Sequence, residues 1–363
     1  MRLGVGIVVG VLVVTACAAP DPPTGRSTAP STTTAVTAQS RSDDSLALLA
    51  PLLVTEPGCS AAVGIDGVVV WAGARGMADL AAKVEMTTGT VFDIASVSKQ
   101  FTATAVLLMA QDGRLDLDDT VATHLDGLPQ WAERITITQL IHHSSGIPEF
   151  IELLHARGVE FTDLATQEQA VQAVAETPTL DFEPGTTSAY SNSNYLLLAE
   201  IVHAVSGQPL PQFLAARIFQ PLGLNMIMDE AAAVPGKAVS YDRKPGRQDF
   251  PVLDTPWTVI GPGGIQTTPS ELVRWADNYR TGQLGGQALL QAQLADPVPF
   301  GNGDDHYAAG IIIERKGILS HNGNWEGFNT EFVISADRHT AVAVTCNAYL
   351  PRALSTTLLR LWT

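Results

Sequence analysis

The apolar positions along the chain change their period several times. From Cys59 to Gly76 ("CSAAVGIDGVVVWAGARG") two β-type runs flank Asp66-Gly67, a two-residue hairpin signal. The run from Val97 to Gln111 has helical spacing and stops at Gly113, a residue suited to ending a helix. Between about 115 and 265 the pattern is mostly helical, in "ITQLIHHSSG", "TQEQAVQAVAET", "SNYLLLAEIVHAVSG" and "LPQFLAARIFQPLG", each bounded by Gly or Pro. Helical spacing returns at "SELVRWADNYRTG". The C-terminal part then reads as strands ("HYAAGIIIE", "GILSHNG", "GFNTEFVIS", "TAVAVTCNA") before a last short helix, "PRALSTTLLRLW". A hairpin near one end and strands near the other, separated by helices, predict one antiparallel sheet built from both ends of the chain. That is an α+β architecture. The segment 234–257 is Pro-rich without a clear element, and loops of that length are often functional.

The first residues lie outside this pattern. Arg2 is followed by twelve apolar residues, Leu3 to Val14. The run is too short to span a bilayer comfortably but fits the core of a signal peptide. "VTAC" (Val14 to Cys17) resembles the lipobox of bacterial lipoproteins. Residues 1–17 are therefore expected to be a signal peptide whose removal leaves Cys17 lipidated, anchoring the protein to the outer face of the bacterial cell membrane. Cleavage after "ACA", giving a secreted protein, is the alternative. From 18 to 44 the chain turns to Pro, Thr, Ser and Ala and reads as a disordered tether. The folded domain is expected over 45–363, with the helical insert inside it.

Composition narrows the partners. Of 363 residues, 45% are hydrophobic and 16% charged, which describes a globular chain with a sizeable core. A net charge of -16 argues against nucleic acid, which needs a basic face. Beyond Cys17 two cysteines remain, Cys59 and Cys346. In an exported protein they form a disulfide or stay as separate buried thiols, and the residues alone leave both open.

Chemistry enters with "FDIASVSKQFTA". Ser96 and Lys99 are three apart at a helix start and so share one face. The helix N-terminus favours developing negative charge there. A hydroxyl becomes nucleophilic when a neighbouring base takes its proton, and lysine serves as that base only if desolvation lowers its pKa. Phe92, Ile94, Val97 and Phe101 supply apolar surroundings. In "SAYSNSNYLLL", Tyr190 offers a phenol as general base or acid if an ammonium lowers its pKa, and Asn192 offers both donor and acceptor. In "LSHNGNWEGFNT", His321 and Gly323 fall on an edge strand that a substrate can approach closely. The Asn324 N–H could pair with that of Ser96 as an oxyanion hole.

Taken in the order Ser-x-x-Lys, Tyr-x-Asn, His-x-Gly, these segments resemble the serine β-lactamase-like superfamily, in the branch of class C β-lactamases, D,D-peptidases and related esterases. "ITITQLIHHSSGIP", "FEPGTTSAYSNSNYLLLAEIV" and "GPGGIQTTPSELVRW" extend the resemblance over roughly Leu46 to Trp362. It implies a β-lactamase/transpeptidase-like fold: an antiparallel sheet flanked by helices, an all-helical part, and the site in the cleft between. Ser96 would be the acylated nucleophile, Lys99 and Tyr190 would share proton transfer, and Asn192, His321, Gly323 and Asn324 would bind substrate. First and last strands are neighbours in that fold, which implies a Cys59–Cys346 disulfide.

The sequence departs from its relatives at His321, where many carry lysine. Histidine is mostly neutral at pH 7. Carboxylate recognition is weakened unless Arg243, Arg247 or Arg274 assists, and a role for charged His321 predicts peptide turnover falling as pH rises through about 6 to 7. The resulting expectation is an extracytoplasmic serine hydrolase, esterase or D,D-peptidase-like, with weak β-lactamase activity at best, acting on a small ester, peptide or β-lactam without cofactor or metal. A penicillin-binding or non-catalytic surface protein with the same fold is the alternative. His142-His143 lacks an H-E-x-x-H context and is read as part of a structural turn.

Overall fold

The computed structural model describes residues 32–229, 234–243, 249–253, 255–301, 303–349 and 353–363. The expected signal peptide, Cys17 and Arg247 lie outside the described residues. Two compact units are present, Met1–Ser40 and Arg41–Thr363. In the first, the described part is the beginning of helix α1, Thr32–Leu49. Helix therefore occupies the end of the segment expected as a tether. No Pro or Gly interrupts the chain from Ser31 to Ala50, so nothing there breaks helical hydrogen bonding.

In the second unit eight strands form one sheet. In chain order they are β1 (Cys59–Ile65), β2 (Val68–Arg75), β3 (Val298–Pro299), β4 (His306–Tyr307), β5 (Ile312–Ile313), β6 (Leu319–Trp325), β7 (Phe328–Ile334) and β8 (Thr340–Cys346). Their spatial order is β3-β4-β5-β6-β7-β8-β1-β2, every neighbour antiparallel. Both ends of the chain thus build the sheet, as the hydrophobic pattern implied. Asp66 and Gly67 turn the first hairpin with positive φ of 52° and 78°. Cys59 lies opposite Cys346 in the register, and the two form a disulfide.

Alternation along the central strands separates two faces. Ala61, Val63, Val342 and Val344 point outward, where they meet Leu49 and the closing helix (Leu354–Trp362). The Trp362 indole donates to Ser45 Oγ at 2.8 Å, tying the chain's end to the Arg41–Leu49 part of α1. Burying side chains such as Leu49 and Leu358 stabilises by about 1.5–3 kcal/mol each. On the inner face stand the small residues Ala62, Ala341 and Ala343, which let helices approach closely. One of these is the Pro269–Ala276 helix, capped by Thr268. Helix α2 (Lys99–Gln111) is almost wholly buried and also packs against the insert's long helix, α3 (Asn192–Ser206). Gly207, in the left-handed conformation, ends that helix. Among the described residues, no helix is long and apolar enough to cross a membrane.

The segment 234–257 is only partly described. Tyr241 bridges both Val252 and Ala348, and Trp257-Thr258 pair with Ala165-Thr166. This links the segment to the sheet side and to the helical side alike.

Candidate active site

A short 3-10 turn, Ala95–Ser98, leads into α2 and presents Ser96. Ala95 takes a positive φ of 49°, a strained conformation for a residue with a Cβ. Asp93 Oδ1 accepts from its N–H, and Ile94 N–H donates to Ile265 O, so both sides of the turn are fixed. Strand β6 lies directly against it. A Cβ on Gly323 would come within 2.3 Å of Ile94 O and 3.1 Å of Ser96 N. Only glycine permits that approach, which explains the residue at this position.

Lys99 is fully buried. Its Nζ donates to Ser96 Oγ at 3.0 Å, to Asn192 Oδ1 at 2.7 Å and to the Pro262 carbonyl at 2.8 Å. Three acceptors match the three donors of an ammonium. Burial nevertheless lowers its pKa to about 7, partly opposed by the Glu149 carboxylate. Near neutral pH the amine is therefore a usable proton acceptor beside the serine.

The Tyr190 ring lies 4.8 Å from Lys99 Nζ, and its phenol hydrogen-bonds the Ser96 side chain. Alcohol, amine and phenol are thus brought together. Burial around its hydroxyl drives the Tyr190 pKa upward, against the lowering imagined from the sequence. The phenol stays protonated, so of the two groups Lys99 is the resting base.

Two residues missed in the sequence hold this arrangement. Glu149 Oε2 accepts from Asn192 N at 2.7 Å and from Asn192 Nδ2 at 3.1 Å, while Oε1 accepts from Ile151 N. The carboxylate thereby turns the asparagine so that Oδ1 faces Lys99. Its sequence signal is only that of an acidic helix cap in "IPEFIELL", which says nothing of a partner 43 residues away. The second is His143, expected as part of a turn. Its carbonyl accepts from Ala189 N and its Nδ1 from Ser191 N, and its ring lies 4.4 Å from that of Tyr190. Tyr190 is held between those two hydrogen bonds.

His321 was expected to be mostly neutral, and its surroundings make it more so. It is buried, its Nδ1–H donates to Asn322 O at 2.7 Å, and its Nε2 accepts from Tyr307 OH at 3.0 Å. Burial, with Lys99 nearby, pushes its pKa down to about 3. It is a neutral, fully engaged ring and not a cation waiting for a carboxylate. The described arginines do not replace it: Arg243 pairs with Glu56 and Arg274 with Glu271.

Asn324 lines a cavity of about 100 Å³ that opens on Ser96. Its Oδ1 accepts from Asn329 Nδ2 across the hairpin. Phe150, Ile151, Val259 and Trp325 supply the apolar wall, Asn192 a polar point, and no charged side chain is among the lining residues described.

Comparison with known proteins gives this geometry a family context. The Beta-lactamase family model matches residues 48–360. A D-aminopeptidase of Cereibacter sphaeroides is 30% identical over 308 residues, covering 82% of this chain and 58% of that protein. Penicillin-binding protein 4* of Bacillus subtilis is 26% identical over 291 residues, 75% of this chain and 64% of that one. The chain thus spans less than two thirds of the length of these relatives. Among solved structures, the octameric penicillin-binding protein homologue from Pyrococcus abyssi has a TM-score of 0.75 at 24% identity, covering 90% of this chain and 77% of that one. A D-amino acid amidase from Ochrobactrum anthropi SV3 has a TM-score of 0.71 at 23% identity, covering 90% and 96%. Both share the fold.

Proposed function

The chain belongs to the Beta-lactamase family, and from that premise we propose that it is a serine hydrolase cleaving an amide or peptide through an acyl-Ser96 intermediate. One observation carries the reading: a fully buried lysine amine, with pKa about 7, stands 3.0 Å from Ser96 Oγ. As Oγ attacks the carbonyl carbon, neutral Lys99 takes its proton, and the N–H groups of Ser96 and Asn324 stabilise the oxyanion. Tyr190, protonated and bonded to Ser96, relays a proton to the leaving nitrogen as the C–N bond breaks. Water then attacks the acyl-enzyme with the same pair serving as base, releasing the acid and restoring Ser96.

Two facts favour an amide whose recognition needs no carboxylate. The relatives include D-aminopeptidases, and the cavity beside Ser96 has no described charged lining. Efficient β-lactam or D,D-carboxypeptidase turnover is correspondingly disfavoured, because His321 is neutral. Simple esters share the reacting carbonyl and remain acceptable substrates.

The domain acts outside the cytoplasm, tethered through a lipid on Cys17. The apolar run Leu3 to Val14 and the "VTAC" that ends it support that placement. Labelled palmitate should enter the wild type and not Cys17→Ala.

A fluorophosphonate probe tests the central claim. Labelling that Ser96→Ala abolishes supports the enzyme. No labelling of the wild type by this probe or by fluorescent penicillin would leave a non-catalytic binding protein.

A further inference from the structure

The cavity at Ser96 is small. At about 100 Å³ it falls below the roughly 150 Å³ apolar cavity that admits benzene. Immediately beyond lies a second cavity of about 370 Å³, lined in part by Phe161, Phe328 and Tyr349. The two have Ile151, Asn324 and Trp325 in common. Asn324 belongs to the expected oxyanion site, and Ile151 supplies the amide that Glu149 caps. Trp325 is the large side chain common to both walls.

Its position is fixed by other aromatic rings. The indole lies 5.8 Å from the Phe161 ring, edge to face, and 5.8 Å from Trp257. Trp257 in turn packs on Phe150 at 6.2 Å, so the aromatic groups brace one another. At the end of β6, one residue before the Glu326-Gly327 turn, Trp325 cannot swing aside without disturbing that set.

We propose that Trp325 is the specificity-determining partition of the site: it restricts the group attached to the scissile carbonyl to a small, uncharged, apolar one, of alanyl to valyl size. This rests on the acyl-Ser96 reading above. The apolar wall gives no compensation for a charge, and the space beside Ser96 is tighter than a cavity known to hold a benzene ring. Replacing the indole joins the two cavities and gives longer or aromatic groups room.

The test measures kcat/KM on p-nitrophenyl acetate, butyrate, octanoate and phenylacetate for the full chain, Trp325→Ala and Trp325→Leu. One extra or missing methylene in a hydrophobic pocket is worth about 10–200-fold in selectivity. Wild type should accordingly fall at least tenfold from butyrate to octanoate. Trp325→Ala should raise the octanoate-to-acetate ratio at least tenfold, and Trp325→Leu should raise it by less. The leucine variant keeps an apolar side chain and guards against misfolding of the alanine one. Labelling of Ser96 by a small fluorophosphonate, at whatever rate, shows that the nucleophile still forms in a variant and separates the two claims. Labelling of both variants with an unchanged ratio, or a wild type that prefers octanoate, overturns the partition. Absent labelling and absent ester turnover in all three proteins overturns the acyl-serine reading, and this inference with it.

Discussion

The two sides of the site each bury a base, and the results differ. On the helical side Lys99 ends at a pKa of about 7, and on the sheet side His321 ends at about 3. Desolvation is the largest cause in both cases, and the net displacements from 10.5 and 6.5 are similar. Starting point decides the outcome. Lysine begins far above neutrality, so burial brings it into the range where a base works. Histidine begins near neutrality, so the same burial removes it from titration. Counter-charge points the same way: Glu149 lies near the lysine and works to keep its proton, while Lys99 works to keep the proton off His321.

The largest effect that sharpens this contrast is loss of the lysine. Lys99→Met should lower kcat/KM on p-nitrophenyl acetate about 10³-fold, within the range for a positioned general base. Lys99→Arg should fail to rescue, since a guanidinium does not give up its proton. Near-normal turnover by either variant would break the comparison at its stronger half. In the wild type, kcat/KM should rise with pH through about 7 as Lys99 loses its proton.

Tyr190→Phe comes next, at about 10²-fold, as expected when a relay is removed and the base stays. Because the phenol's pKa is raised, no alkaline limb from Tyr190 should appear below about pH 10. A descending limb near pH 8 that disappears in the phenylalanine variant would reverse the assignment of resting base.

Glu149→Gln keeps a hydrogen-bond acceptor for Asn192 but removes the charge. A roughly tenfold loss is expected from a looser asparagine. The pH profile gives the diagnostic. The carboxylate helps Lys99 hold its proton, so without it the ascending limb should move to lower pH. A shift to higher pH would mean that Glu149 acts by another route.

Much of this site was legible in the chain because its chemistry is carried by residue types at short spacing. Ser96 and Lys99 share a helix face whatever surrounds them, and Tyr190 and Asn192 announce themselves just ahead of an apolar helix. The alternation in "CSAAVGI" and "TAVAVTC" likewise gave the strands that join the two ends of the chain. Other features depend on partners that no local pattern names. Glu149 reads as a helix cap, and only the fold sets it against Asn192. His321 reads as a mostly neutral substrate-binding ring, and only the fold shows Tyr307 and the Asn322 carbonyl occupying both its nitrogens. Thr32 to Asp44 reads as tether by composition, although that stretch has no proline to interrupt a helix.

The smallest effect on activity belongs to His321, and it makes the sharpest test of the comparison. His321→Gln should leave kcat/KM within a few-fold and the limb near pH 7 unmoved, because the ring carries no charge there. Stability should respond instead. The folded state holds His321 neutral down to about pH 3, whereas the unfolded chain protonates it below about 6.5. Between those values the unfolded state binds the extra proton, so this residue's contribution makes stability fall as pH falls. The slope approaches about 1.4 kcal/mol per pH unit at most. Urea unfolding at pH 4, 5, 6 and 7 should give a slope that is steeper in the wild type than in the glutamine variant, the difference being this residue's share. Equal slopes would mean that folding leaves His321 titrating as it does in the unfolded chain, and either that result or an activity profile that moves with the substitution would remove the asymmetry between the two sides of the site.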